Sequence, residues 1–152
     1  MPLVLIVHHT ASPAMQELLE SAVAGAKTDD IGGVDVAVRP ALAATASDVL
    51  AADGFVLGTP VNIGYISGAL KHFFDQIYYP TLQAKAGAPW AGYLHANSDA
   101  AGALRALDAI TAGLGWTKVA APLVCLGAPD RAAKQQAWDL GATVAAHAAG
   151  LA

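Results

Sequence analysis

Gly58-Thr59-Pro60-Val61-Asn62-Ile63-Gly64-Tyr65-Ile66-Ser67-Gly68 joins a short apolar run to an amphipathic segment through a polar, glycine-punctuated loop. Upstream, Phe55-Val56-Leu57 follows Asp53-Gly54 and is β-prone, as a strand buried inside a parallel sheet should be. Downstream, Ile66, Leu70, Phe73, Phe74 and Ile77 form one stripe at helical spacing, which predicts a helix packed on that sheet. Ser67 stands where its hydroxyl can accept from a free N–H of the first turn, a cap worth about 1 kcal/mol. Between strand and helix, Pro60 fixes one φ angle, and Gly64 permits positive φ and a close approach to the main chain. Backbone amides are therefore the expected recognition groups, and a flat ligand is the shape such a loop holds.

Working outward, five strands are expected at 3–8, 34–38, 54–58, 91–96 and 123–126, alternating with helical patterns in the rhythm of βαβ units. The first helix should begin with Ser12 as cap and Pro13 at the first helical position, followed by Met15, Leu18, Leu19, Ala22 and Val23. A short helix is expected near 47–52, and two long Ala-rich helices within 99–114 and 130–149. The fold class is thus α/β, a three-layer sandwich with a five-stranded parallel sheet. With no repeat or low-complexity linker, residues 1–152 read as a single domain. In the doubly wound strand order 2-1-3-4-5, the loops after strands one, three and four meet at the switch point. Those are the polar loops of this chain.

Composition narrows the functions further. Hydrophobic residues make up 55% and charged residues 13% of the 152, which favours a well-packed globular chain. A net charge of −4 without a cluster of Lys and Arg argues against nucleic acid as a partner. Cys125 lies in Leu123-Val124-Cys125-Leu126, has no second cysteine to pair with and reads as core. Leu3 to Val7 lacks the basic start and cleavage site of a signal peptide, and no apolar run approaches the length of a membrane span. A cytoplasmic location without membrane association is the expectation. Small residues on several helices leave room for a homo-oligomeric contact.

The first loop, His8-His9-Thr10-Ala11-Ser12-Pro13-Ala14-Met15, combines hydroxyl groups with the amides opening a helix, an arrangement suited to a phosphate as well as to simple capping. The third, His95-Ala96-Asn97-Ser98-Asp99-Ala100-Ala101-Gly102, enters a helix that Asp99 or Ser98 can cap. His8, His9 and His95 lie near strand ends but lack ligand spacing, so no metal is expected. His72 and His147 fall on helices, and Trp90, Trp116 and Trp138 read as packing anchors. Tyr78-Tyr79-Pro80 reads as a helix end stopped by Pro80.

Together these loops resemble the flavodoxin-like family, which includes flavodoxins, NAD(P)H-dependent FMN reductases and NAD(P)H:quinone oxidoreductases. The most specific part is Gly58 through Asp75, similar to the family's strand, flavin loop and following Leu-Lys-x-Phe-x-Asp helix. The resemblance implies FMN as cofactor. His9, Thr10, Ser12, Ala14 and Met15 would then hold its phosphate. Pro60, Val61, Asn62, Ile63, Gly64 and Tyr65, with His95, Ala96, Asn97 and Asp99, would border its ring. It also implies NAD(P)H as electron donor and a quinone, flavin or similar small molecule as acceptor. The first loop departs from the family's Ser/Thr-x-Thr-Gly-x-Thr pattern: Ser12 stands near the place of the glycine, Pro13 offers no amide, and Ala14 or Met15 replaces a hydroxyl. A flavodoxin-type electron carrier, and a domain of this fold that has lost FMN and binds another ligand or protein, are the alternatives.

Overall fold

A computed structural model describes all residues, 1–152. The chain runs β1 (Leu3–His8), α1 (Pro13–Ala26), β2 (Asp35–Pro40), α2 (Ala46–Ala51), β3 (Gly54–Asn62), β4 (Tyr65–Ile66), α3 (Gly68–Thr81), β5 (Pro89–Ala96), α4 (Ala101–Leu114), β6 (Thr117–Lys118), β7 (Leu123–Leu126) and α5 (Arg131–Ala148). The sheet order is β2-β1-β3-β5-β6, with β7 also on β5, and every pairing among these strands is parallel. This is the doubly wound order expected from the alternating pattern.

Side chains alternate across the sheet with period two and so build two cores. Leu5, Val7, Phe55, Leu57 and Leu94 pack under α2, α3 and α4 with Leu70, Phe73, Phe74, Ile77 and Leu107. Val4, Ile6, Val56, Ala91 and Tyr93 face α1 and α5, meeting Met15, Leu18, Leu140 and Val144. Each such side chain contributes about 1.5–3 kcal/mol by leaving water. Trp90 and Trp116 are core residues, Trp116 stacking on Phe55 with centroids 3.9 Å apart, whereas Trp138 on α5 is only half-buried. Cys125 is buried, and burial raises its thiol pKa.

Several boundaries differ from the sequence reading. The fifth strand, β7, keeps its expected bounds of 123–126, but a further two-residue strand, β6, precedes it on β5, the two separated over 119–122, where Pro122 has no N–H to give. β3 runs on to Asn62 instead of ending at Gly58, since Val61 and Asn62 pair antiparallel with Ile66 and Tyr65 of β4. β2 extends to Pro40 on the sheet edge, where a missing donor costs nothing. Pro80 lies inside the last turn of α3 and does not stop it. No helix is long and apolar enough to cross a membrane.

Candidate functional site at the carboxyl edge

Strand register brings the three polar loops together. His8 lies opposite both Pro40 and Gly58, and His95 opposite both Pro60 and Cys125, so β1, β3 and β5 end side by side. The turns that leave them share one rim.

In the first turn, Ser12 caps α1 as expected, its Oγ accepting from Met15 N at 3.2 Å. His8 Nδ1 and the Thr10 hydroxyl share a 2.7 Å hydrogen bond. Partial burial, and then the neighbouring His9, lower the His8 pKa, which favours a neutral ring. His9 donates its amide to the Gly58 carbonyl at 2.9 Å, while its buried Nδ1 has no partner. The amides of Thr10, Ala11, Ser12 and Ala14 donate to no protein acceptor, leaving four N–H groups at the positive end of α1. Met15 is fully buried, so only its backbone belongs to the rim.

The second loop is a hairpin rather than an irregular loop. Ile63 and Gly64 turn it with φ of 52° and 72°, the signature of a two-residue type I′ turn that matches the strand twist. Positive φ is unusual for a β-branched residue and costs on the order of 1–3 kcal/mol. The Ile63 side chain is fully exposed, Asn62 and Gly64 are exposed, and the amides of Ile63 and Gly64 are unpaired. At the base, the buried Thr59 hydroxyl donates to the Pro60 carbonyl at 2.8 Å and accepts from Ser67 N at 3.0 Å. Ser67 Oγ in turn accepts from Leu70 N at 3.1 Å, the cap expected for α3. Pro60 and Val61 are half-buried and Tyr65 is 42% exposed on the same hairpin.

The third loop carries Asn97, Ser98 and Asp99, all exposed. The N-cap position of α4 is Ala100, which has no side-chain bond, and the Asp99 carboxylate instead accepts from Ala101 N at 2.9 Å from one residue earlier. Ala96 is buried in the strand end. His95 is drawn toward the β7–α5 turn, its Nε2 2.8 Å from the Gly127 carbonyl, so it fastens the rim instead of facing the hairpin. The direct link between the second and third loops is a residue that the sequence reading passed over. A Cβ on Gly102 would lie 2.3 Å from the Gly64 carbonyl oxygen, so only glycine lets the first turn of α4 touch the hairpin tip. The glycine closing His95-to-Gly102 was the available signal.

A cleft of about 580 Å³ lies away from the rim, lined by Ser21, Arg131, Lys134, Gln135 and Trp138 of α1 and α5. No three His, Cys, Asp or Glu residues converge to hold a metal ion.

Comparison with known proteins agrees with this architecture. A flavodoxin of Aquifex aeolicus (strain VF5) is 34% identical over 74 residues, covering 49% of this chain and 39% of the relative. The chain therefore spans well under two-thirds of that relative. A flavodoxin from the domain Archaea superimposes with a TM-score of 0.81 at 16% identity, over 96% of this chain and 98% of the other. A WrbA-like flavodoxin from Agrobacterium tumefaciens gives 0.79 at 19% identity over 100% of both chains. These two show the fold. The family described as NADPH-dependent FMN reductase matches residues 8–128, from the last residue of β1 to the turn before α5. Because that span takes in all three rim loops and the sheet order that gathers them, the chain belongs to the NADPH-dependent FMN reductase family and has its flavodoxin-like fold.

Proposed function

We propose that this chain binds FMN at the rim and acts as an oxidoreductase, passing reducing equivalents from NAD(P)H to a quinone, a free flavin or a similar small acceptor. The observation that carries this reading is the set of unpaired amides on two adjoining turns, those of Thr10, Ala11, Ser12 and Ala14 on one and of Ile63 and Gly64 on the other. The first set, with the partnerless His9 Nδ1, fits a phosphate. The second fits the acceptor edge of a planar ring, with Asn62, Tyr65, Asn97 and Asp99 as bordering side chains. FMN, when bound, supplies the hydride chemistry. The residues of the chain hold and orient it: the hairpin donates to the ring, the α1 turn neutralises the phosphate, and His95 pins the neighbouring turn through Gly127. Membership of the family supports NAD(P)H as donor.

Full exposure of Ile63 at the hairpin tip supports a second reading, an electron carrier that docks that apolar tip against protein partners. Visible absorbance of the purified chain, before and after addition of FMN, tests both. A bound flavin spectrum is the expected result; a chain that stays colourless with FMN present overturns both readings and leaves a domain without flavin. Anaerobic mixing of the flavin-loaded chain with NADH or NADPH then separates them. Rapid bleaching supports the oxidoreductase, and bleaching only after a reductase is added supports the carrier.

A further inference from the structure

Gly58 lies between His8 and Tyr93 in the sheet register. Tyr93 belongs to the core facing α1 and α5, with Met15 and Leu18. A Cβ on Gly58 would fall 2.2 Å from Tyr93 Cζ and 2.3 Å from its hydroxyl oxygen. The tyrosine ring therefore reaches from β5 onto β3 and ends over Gly58, the residue paired with His8 of β1. The glycine that begins the decisive sequence stretch is thus the space that the phenol occupies.

That hydroxyl is fully buried and has no hydrogen-bond partner. Burial pushes its pKa far above the ordinary tyrosine value, so it remains a donor at any physiological pH. The Gly58 carbonyl nearby already accepts from His9 N. His9, the first residue of the turn beyond β1, carries a second buried polar atom without a partner, Nδ1. Buried polar atoms are rarely left unpaired, and each costs the free energy of its lost water contacts. The Tyr93 hydroxyl is thus an unmet donor over Gly58, the residue whose carbonyl receives the first amide of the turn. The turn beyond β1 is held to the sheet by the His9–Gly58 bond and the His8–Thr10 bond.

We propose that the Tyr93 hydroxyl donates to the phosphate of the flavin nucleotide from beneath the His9–Ser12 turn, supplying the hydroxyl that Ala14 and Met15 do not carry. This inference rests on the FMN reading above. It explains how a first loop with Pro13 in place of an amide donor can still hold a phosphate. It also explains Gly58 on physical grounds: any side chain there displaces the phenol.

Tyr93→Phe removes one oxygen and keeps the ring that fills the core. Flavin-fluorescence quenching gives the affinity of the full chain for FMN and for riboflavin, which lacks only the phosphate. The wild-type chain is expected to prefer FMN, and the variant to lose about tenfold or more of that preference while binding riboflavin as before. The melting temperature of the ligand-free variant is expected to stay level or rise, because an unpaired buried donor has been removed. An unchanged preference, or equal weakening toward both flavins, overturns the inference and leaves the FMN reading standing. A wild-type chain that binds no FMN overturns that reading, and this inference with it.

Discussion

Gly102→Ala tests whether the second and third loops form one ligand site. The new methyl carbon would stand 2.3 Å from the Gly64 carbonyl oxygen, against about 3.4 Å for ordinary contact, so the backbones must part by about 1.1 Å. The hairpin base is held by the two Thr59 hydroxyl bonds, so the displacement falls on the tip, Ile63–Gly64. Crowding of this kind costs about 1–3 kcal/mol, and alanine in place of glycine returns about 1 kcal/mol of helix propensity. The net destabilisation is about 0–2 kcal/mol, or a fall in Tm of up to about 8 °C for a chain of this size. Flavin affinity should suffer more. Moving two donor amides by about 1 Å forfeits bonds worth about 0.5–1.5 kcal/mol each, a loss of roughly 5- to 150-fold. Gly68→Ala is the control, because a Cβ there meets nothing within 4 Å at the start of α3. It should stabilise by a few tenths to about 1 kcal/mol and leave flavin affinity alone. Differential scanning fluorimetry and flavin quenching on both variants decide the matter. Gly102→Ala with unchanged FMN affinity would sink the claim that the hairpin tip contacts the ring.

Thr59→Val keeps the shape of a fully buried residue and removes both hydroxyl bonds, stranding Ser67 N–H and loosening the hairpin base. A loss of about 1–3 kcal/mol is expected in urea unfolding, with Thr59→Ser close to wild type. Gly25→Ala places a Cβ 1.9 Å from the Trp138 carbonyl oxygen, forcing α1 and α5 apart. It should cost about 1–3 kcal/mol or more, and a variant as stable as wild type would refute this helix contact. Acid should weaken the fold through His8. Its pKa is lowered in the folded state, so below about pH 6.5 the unfolded chain takes up a proton that the folded chain resists. The contribution is complete above that pH and is lost as pH falls toward the folded value. His8→Gln should flatten the urea-midpoint profile between about pH 7.5 and 5, and parallel profiles would show that His8 does not titrate against the fold.

Much of this architecture was legible because it rests on local signals. Ser12-Pro13 and Ser67 announce helix starts with side chains that bond the first turn, and both caps form. Apolar runs separated by helical stripes imply a parallel sheet, and the doubly wound order follows from handedness and burial. The signals that failed are those decided by a distant neighbour. Pro80 reads as a stop, yet Tyr78 packs against Gly113 of α4 and the turn persists through Thr81. β6, which the sequence reading did not include, pairs with β5 ahead of β7, the two separated opposite Ala91 and Gly92 by a register on β5 that is invisible within residues 117–126.

The site divides along the same line. Its membership in three loops follows from topology, because any doubly wound sheet brings those strand ends together. Its working surfaces depend instead on glycines read across the sheet. Gly64 shows itself locally, as a residue suited to positive φ. Gly102 and Gly58 do not, since each is small on account of a group far away in sequence, the Gly64 carbonyl in one case and the Tyr93 phenol in the other. Both contacts converge on the rim, one setting the height of the hairpin tip and the other filling the floor beside β1. Substituting any other residue at Gly102 leaves both loops and their unpaired amides in the sequence but moves them relative to one another, and substituting Gly58 displaces the phenol. A site of the proposed kind, reading its ligand with main-chain donors, has its specificity in the side chains that are missing, and a search for polar residues alone finds the loops without finding what aligns them.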